Sequence, residues 1–175
     1  MTDYEDFLKI TTGVEKEYSK SSQDPWAASP FGWIKKLPSR TVGAIGEKLV
    51  EKWAQSKRFE VSRTGDSDAD RLIQSRRIEI KFSTLWAGSG IYKFQQIRDQ
   101  NYDFCFCLGV SPQKVHAWLI PKSELMRVRE GLSHQHGGSA GTDTFWLAFE
   151  PDNPPAWMRK FGGSLDEVEK LLNEM

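Results

Sequence analysis

"DSDADRLIQSRRIEIKFS", residues 66–83, is the stretch on which the fold turns. Leu72–Ile73 and Ile78–Phe82 are short apolar runs separated by a polar turn, the pattern of two strands joined tightly. In the second run side chains alternate, so Ile78, Ile80 and Phe82 face a core while Glu79, Lys81 and Ser83 share the other face. Taken alone, Glu79 and Lys81 make an ordinary surface ion pair, which contributes little. Their neighbours point to chemistry. Asp70 opens the preceding strand, and a tight hairpin brings its carboxylate beside Glu79. Two carboxylates at one point repel unless a cation neutralises them. Oxygen ligands with no nearby Cys or His suit Mg²⁺, with Mn²⁺ as a possible substitute. A lysine beside such a cation can orient a water or stabilise charge building on a phosphoryl group.

Upstream, "TVGAIGEKLVEKWAQSK" (41–57) spaces Val42, Ile45, Leu49 and Trp53 as one helical stripe. Glu47 lies on the flank of that stripe, beside Val50, and could reach the same cation. An exposed helix glutamate is the plainer alternative. Gly43 and Gly46 would let the helix approach a sheet or a phosphate backbone closely.

Downstream, strands are expected at 103–111 and 114–120, a helix at 121–132 and a strand at 144–150. "IYKFQQIRDQN" (91–101) is expected to be helical. The last helix opens at Ser164, with Glu167 completing a capping box. Residues 1–19 read as an acidic helix anchored by Phe7, Leu8 and Val14. The irregular arm after it is pinned by Trp26, Phe31 and Trp33. The whole chain, 1–175, is expected to be a single domain on which arm and helix (1–40) pack. The fold class is α/β, with a mixed central sheet of about five strands flanked by helices on both faces.

The segments "GAIGEKLVEKW", "ADRLIQSRRIEIKFS", "FQQIRDQNYDFCFCLGV" and "HAWLIPKSEL" together resemble the PD-(D/E)XK nuclease superfamily, the restriction-endonuclease-like fold. The likeness spans residues 41–125 and is nearest to type II restriction endonucleases. It implies an αβα core and a Mg²⁺-dependent endonuclease acting on double-stranded DNA. Glu47, Asp70 and Glu79 would hold the metal, and Lys81 would sit beside the attacking water. The family's glutamine falls at Gln95 or Gln96, with Gln96 preferred. One departure stands out: Ala69 precedes the aspartate where the family has proline. Asp70 ranks first as the metal ligand because Leu72 and Ile73 follow it; Asp68 is next, and Asp66 could also serve. A repair or structure-specific nuclease, or a DNA-binding module without turnover, would use the same fold. Cleavage of a palindrome would call for a homodimer, and a restriction role for a cognate DNA methyltransferase.

Charge distribution supports a polyanionic partner. The net charge is zero, yet residues 32–98 hold fourteen basic against seven acidic residues, and the rest ten against seventeen. Arg76, Arg77, Lys93 and Arg98 are candidate phosphate contacts. Trp86 is the candidate for base stacking or groove contact, with packing the plainer reading, and His134 and His136, in a glycine-rich loop that is more simply solvated, for reading base edges or touching phosphates. Sequence-reading loops are expected at 84–91 and 133–143. With 38% hydrophobic and 27% charged residues the chain is globular in composition. No membrane-length apolar run or leader-like opening occurs, so cytoplasmic residence is expected. Cys105 and Cys107, two apart on one strand face, read as buried apolar filler rather than a disulfide or zinc site.

Overall fold

The computed structural model describes residues 2–18, 24–134 and 144–175. In chain order the elements are α1 (Asp3–Tyr18), α2 (Gly32–Lys35), α3 (Ser39–Ser56), β1 (Val61–Arg63), β2 (Arg71–Ile73), β3 (Arg76–Thr84), β4 (Tyr92–Ile97), β5 (Phe104–Val110) and β6 (Val115–Pro121). They are followed by α4 (Lys122–Val128), β7 (Ser133–His134), β8 (Phe145–Phe149) and α5 (Leu165–Asn173), with two short 3₁₀ turns between.

The central sheet has five strands in the order β1-β2-β3-β5-β6. β1, β2 and β3 run antiparallel in sequence, β3 and β5 are parallel, and β5 and β6 are antiparallel. This is the mixed five-stranded sheet flanked by helices that the sequence pattern implies. One face carries Ile78, Ile80, Phe106, Leu108 and Leu119 and is closed by Val50 and Ala54 of α3 with Val168 and Leu172 of α5. The other face carries Cys105, Cys107, Trp118 and Ile120, and Leu125 of α4 packs there.

Most of that second face is covered by a layer the sequence does not announce. Residues 91–101, expected as a helix, contain β4 instead, and β4 joins β8 and β7 in a three-stranded sheet. Tyr92, Phe94 and Ile97 of β4 are fully buried and pack with Phe145, Leu147 and Phe149 of β8 against Trp118. The misreading has a local cause. Ile91, Phe94 and Ile97 recur every three residues, as on a helix, because a register shift between Phe94 and Ile97 breaks the strand's alternation. Gln96 sits in that irregularity with φ +55°.

α3 forms where expected but turns a different stripe inward. Its buried residues are Gly46, Val50 and Ala54, while Leu49 is 38% exposed. Helix and sheet meet where a β-carbon is missing: a methyl at Gly46 would overlap Phe82 of β3. At the N-terminus, Phe7, Leu8 and Val14 do not anchor α1; they are 68%, 53% and 47% exposed. The arm is held by buried Trp26 and Ile34 and by a Ser29 hydroxyl donated to the Pro112 carbonyl at 2.7 Å, whereas Trp33 is exposed. Ser164 caps α5 by accepting the Glu167 N–H at 3.3 Å. Cys105 and Cys107 are free and buried, their sulfurs 3.8 Å apart. Among the described residues, no helix is long and apolar enough to cross a membrane.

Candidate functional site

A cleft forms because β2 is short. It pairs with β3 only from Arg71↔Ile78 to Ile73↔Arg76, so beyond Ile78 that edge of β3 has no strand beside it among the described residues. An unpaired edge leaves backbone N–H groups needing acceptors. Asp70 supplies one at the point where pairing ends. Its N–H donates to the Ile78 carbonyl at 3.0 Å, and its carboxylate accepts the Ile80 N–H at 2.7 Å. That places the Asp70 side chain against β3, next to Glu79. α3 and the arm form one wall of the opening and β4 the other, enclosing about 710 Å³.

Glu47, Asp70, Glu79, Lys81 and Gln96 all line this cleft, as do Trp86 and Lys93. The alternation of β3 puts Glu79 and Lys81 side by side, with Lys81 Nζ 2.6 Å from Glu79 Oε1. Unlike a surface pair, both side chains are largely withdrawn from water, at 11% and 16% exposure. Burial pushes the Glu79 carboxyl above the usual glutamate range; Lys81 opposes the shift, and the negative charges of Asp70 and Glu47 add to it. Glu47 is pushed the same way, by burial first and by Asp70 second. The carboxylates thus form one electrostatic unit in which each raises the cost of ionising the next.

Arg71, which the sequence pattern did not single out, ties α3 to this unit. Its guanidinium donates to Glu51 at 2.9 Å, to the Asp70 carbonyl at 2.6 Å and to Glu47 at 3.4 Å. Glu51 also takes Lys48 at 2.6 Å, and these two cations hold its carboxyl below the usual range. Only adjacency to Asp70 in sequence could have flagged Arg71. Arg40, in the first turn of α3, and Gln95 also line the cleft.

The basic candidates separate. Lys93 is in the cleft, whereas Arg76, Arg77 and Arg98 are off it. Arg77 is already engaged, 2.6 Å from Asp66 and donating to the Asn101 carbonyl. That pairing occupies Asp66, and the Asp68 N–H donates to Asp66 as well. Of the three aspartates, Asp70 alone lines the β3 cleft. His134 ends β7, and His136, with most of the loop 133–143, lies outside the described residues.

Among the described residues, no three acidic, imidazole or thiol groups are gathered tightly enough to enclose an ion as they stand; Glu79 is turned to Lys81 and Glu47 to Arg71. The donor set nonetheless fits a Mg²⁺-type ion. Such an ion takes one or two carboxylates and completes its octahedron with water and substrate oxygens. Asp70 and Glu79 are two acceptor-only groups whose mutual repulsion a dication would relieve.

No family model and no curated protein matches the sequence. Among solved structures, the chain is similar to "a bacterial homing endonuclease: I-Ssp6803I", with a TM-score of 0.53 and 11% identity. The superposition covers 79% of this chain and 96% of that one. At that identity the likeness is one of fold.

Proposed function

We propose that this chain is a Mg²⁺-dependent endonuclease of the PD-(D/E)XK type that cleaves double-stranded DNA at specific sites. The observation that carries the reading is the convergence of Glu47, Asp70, Glu79 and Lys81, from three elements, on one open strand edge. The similarity in fold to a homing endonuclease supports DNA as substrate and favours site-specific cleavage over branched-structure cleavage.

When bound, the dication polarises the phosphate and offsets charge developing on it. The protein's own groups do the rest. Asp70 is fixed by the Ile80 N–H, so it offers its second oxygen to the cleft without a conformational search. Glu79 lies beside it and ionises at the cost set by its burial. Lys81, whose ammonium lies 2.6 Å from the Glu79 carboxylate, would hold the attacking water and offset negative charge developing on the phosphoryl group. Gln96 and Glu47 bound the site on its two walls.

The test is incubation of the purified protein with phage and plasmid DNA in Mg²⁺, Mn²⁺, Ca²⁺ or EDTA. Discrete fragments are expected in Mg²⁺ and none in EDTA, with Lys81→Ala and Glu79→Gln each lowering the rate at least a hundredfold. Intact DNA under every condition would end the enzyme reading.

A further inference from the structure

Trp86 is 42% exposed at the mouth of the cleft, yet it is firmly placed. The Leu85 N–H donates to the Val110 carbonyl at 2.9 Å, which ties the loop's root to the central sheet. The Trp86 N–H donates to Ile91 at 2.9 Å and the Gly90 N–H to Trp86 at 3.1 Å, closing a tight turn. Gly88 and Gly90 hold φ of +82° and +64°, values that a side chain would strain. The indole itself is braced: Lys93 Nζ lies 4.0 Å from its ring centroid and 5.4 Å from that of Trp146. Lys93 is fixed in turn by its N–H, donated to Ser83 Oγ on β3 at 2.9 Å. An ammonium so close to two indole rings is attracted to their π-faces. Its role differs from that of a free phosphate contact.

A half-exposed aromatic ring held in one cleft with Glu47, Asp70 and Glu79 has a natural complement in the face of a nucleobase. Base pairs in an intact duplex already stack on both sides, so only an unstacked base can present its face to such a platform. Beside it, the irregularity between Phe94 and Ile97 puts both Gln95 and Gln96 on the cleft, where regular alternation would admit one. Amide side chains match the donor and acceptor edges of bases.

We propose that Trp86, braced by Lys93, is the stacking platform for a nucleobase displaced from the duplex next to the cleaved phosphate. The proposal rests on the nuclease reading of the cleft and deepens it. Lys93 is a positioning residue that acts through Trp86.

The test uses full-length protein and two labelled duplexes of identical sequence in Ca²⁺, one fully paired and one with a single thymine facing an abasic site. Binding is read by fluorescence anisotropy across a salt series for wild type, Trp86→Phe, Trp86→Ala and Lys93→Met. Because the thymine of the second duplex has no pairing partner and costs less to displace, wild type should prefer that duplex by roughly tenfold or more. Trp86→Phe should keep most of that preference and Trp86→Ala should lose it. Lys93→Met should weaken the preference without altering the salt slope. The proposal is overturned if Trp86→Ala retains the preference, or if Lys93→Met reduces the slope by about 0.9, the signature of a lost phosphate contact. If wild type binds neither duplex and cleaves no DNA, the nuclease reading falls and takes this one with it. Normal cleavage of paired DNA by Trp86→Ala with an unchanged preference sinks the platform alone.

Discussion

Glu79 is held in a state that costs the fold something. Its carboxyl titrates above the ordinary glutamate range, chiefly through burial. The folded protein therefore holds that proton more tightly than the unfolded chain does. Stability from this group is fully present below the unfolded pKa and is lost as pH rises through the folded one. Catalysis requires the opposite form, since only the carboxylate binds a cation. Two outcomes are expected. The acidic limb of the pH–rate profile should lie above the range of a solvated glutamate in initial rates at subsaturating Mg²⁺, and should move to lower pH as Mg²⁺ rises, because cation and proton compete for the carboxylate. Thermal melts in EDTA should show Glu79→Gln gaining on wild type as pH rises through and above the ordinary glutamate range; a loss relative to wild type with rising pH would contradict this. A site that destabilises its own apo form is a familiar consequence of burying an ionisable carboxyl.

At the scale of the element, α3 carries the clearest prediction. Gly43 and Gly46 are one turn apart, and propensity alone would favour alanine at both. Their surroundings differ. Nothing lies within 4 Å of a β-carbon at Gly43, whereas one at Gly46 would overlap Phe82. Gly43→Ala should raise stability by up to about 1 kcal/mol. Gly46→Ala should lower it by roughly 1–3 kcal/mol. It should also depress kcat beyond that, because Glu47 is the next residue and moves with the helix; denaturant melts and single-turnover rates separate the two effects. The same helix shows what a sequence can and cannot tell. Its existence and limits follow from apolar period, but the face it buries is Gly46, Val50 and Ala54. Small residues mark close approach, and a count of large apolar ones passes over them. β3 and its hairpin were legible because alternation and a polar turn leave few alternatives, so Asp70, Glu79 and Lys81 could be placed together before any coordinates. β4 was not, since a bulge imitates a helical period and its partner β8 lies far along the chain. The ion pairs of Arg71 were equally hidden, being set by where side chains end rather than where strands begin.

For the molecule as a whole, net charge is zero, yet Lys35, Arg40, Lys81 and Lys93 line the cleft, and salt should reveal which cations matter. Arg40 lines the cleft, while Arg77 lies off it and is bound to Asp66. Arg40→Ala should flatten the dependence of log K on log salt by about 0.9 for duplex DNA, and Arg77→Ala should leave it unchanged. Equal slopes for the two variants would mean that DNA does not follow the cleft. The pairing of β4 with β8 carries a last consequence, for how the protein is made. Tyr92 pairs with Phe149, so β4 stays single until the chain has been made through β8. Until then Tyr92, Phe94 and Ile97 lack the β8 side chains they pack with, while β3 can already pair with β5 and β5 with β6. Closing so long a loop is slow, and an apolar strand waiting for its partner invites self-association. A nascent chain would thus hold Glu79 and Lys81 on a finished sheet before it has the second wall of the cleft, which leaves the cleft incomplete until β8 has been made.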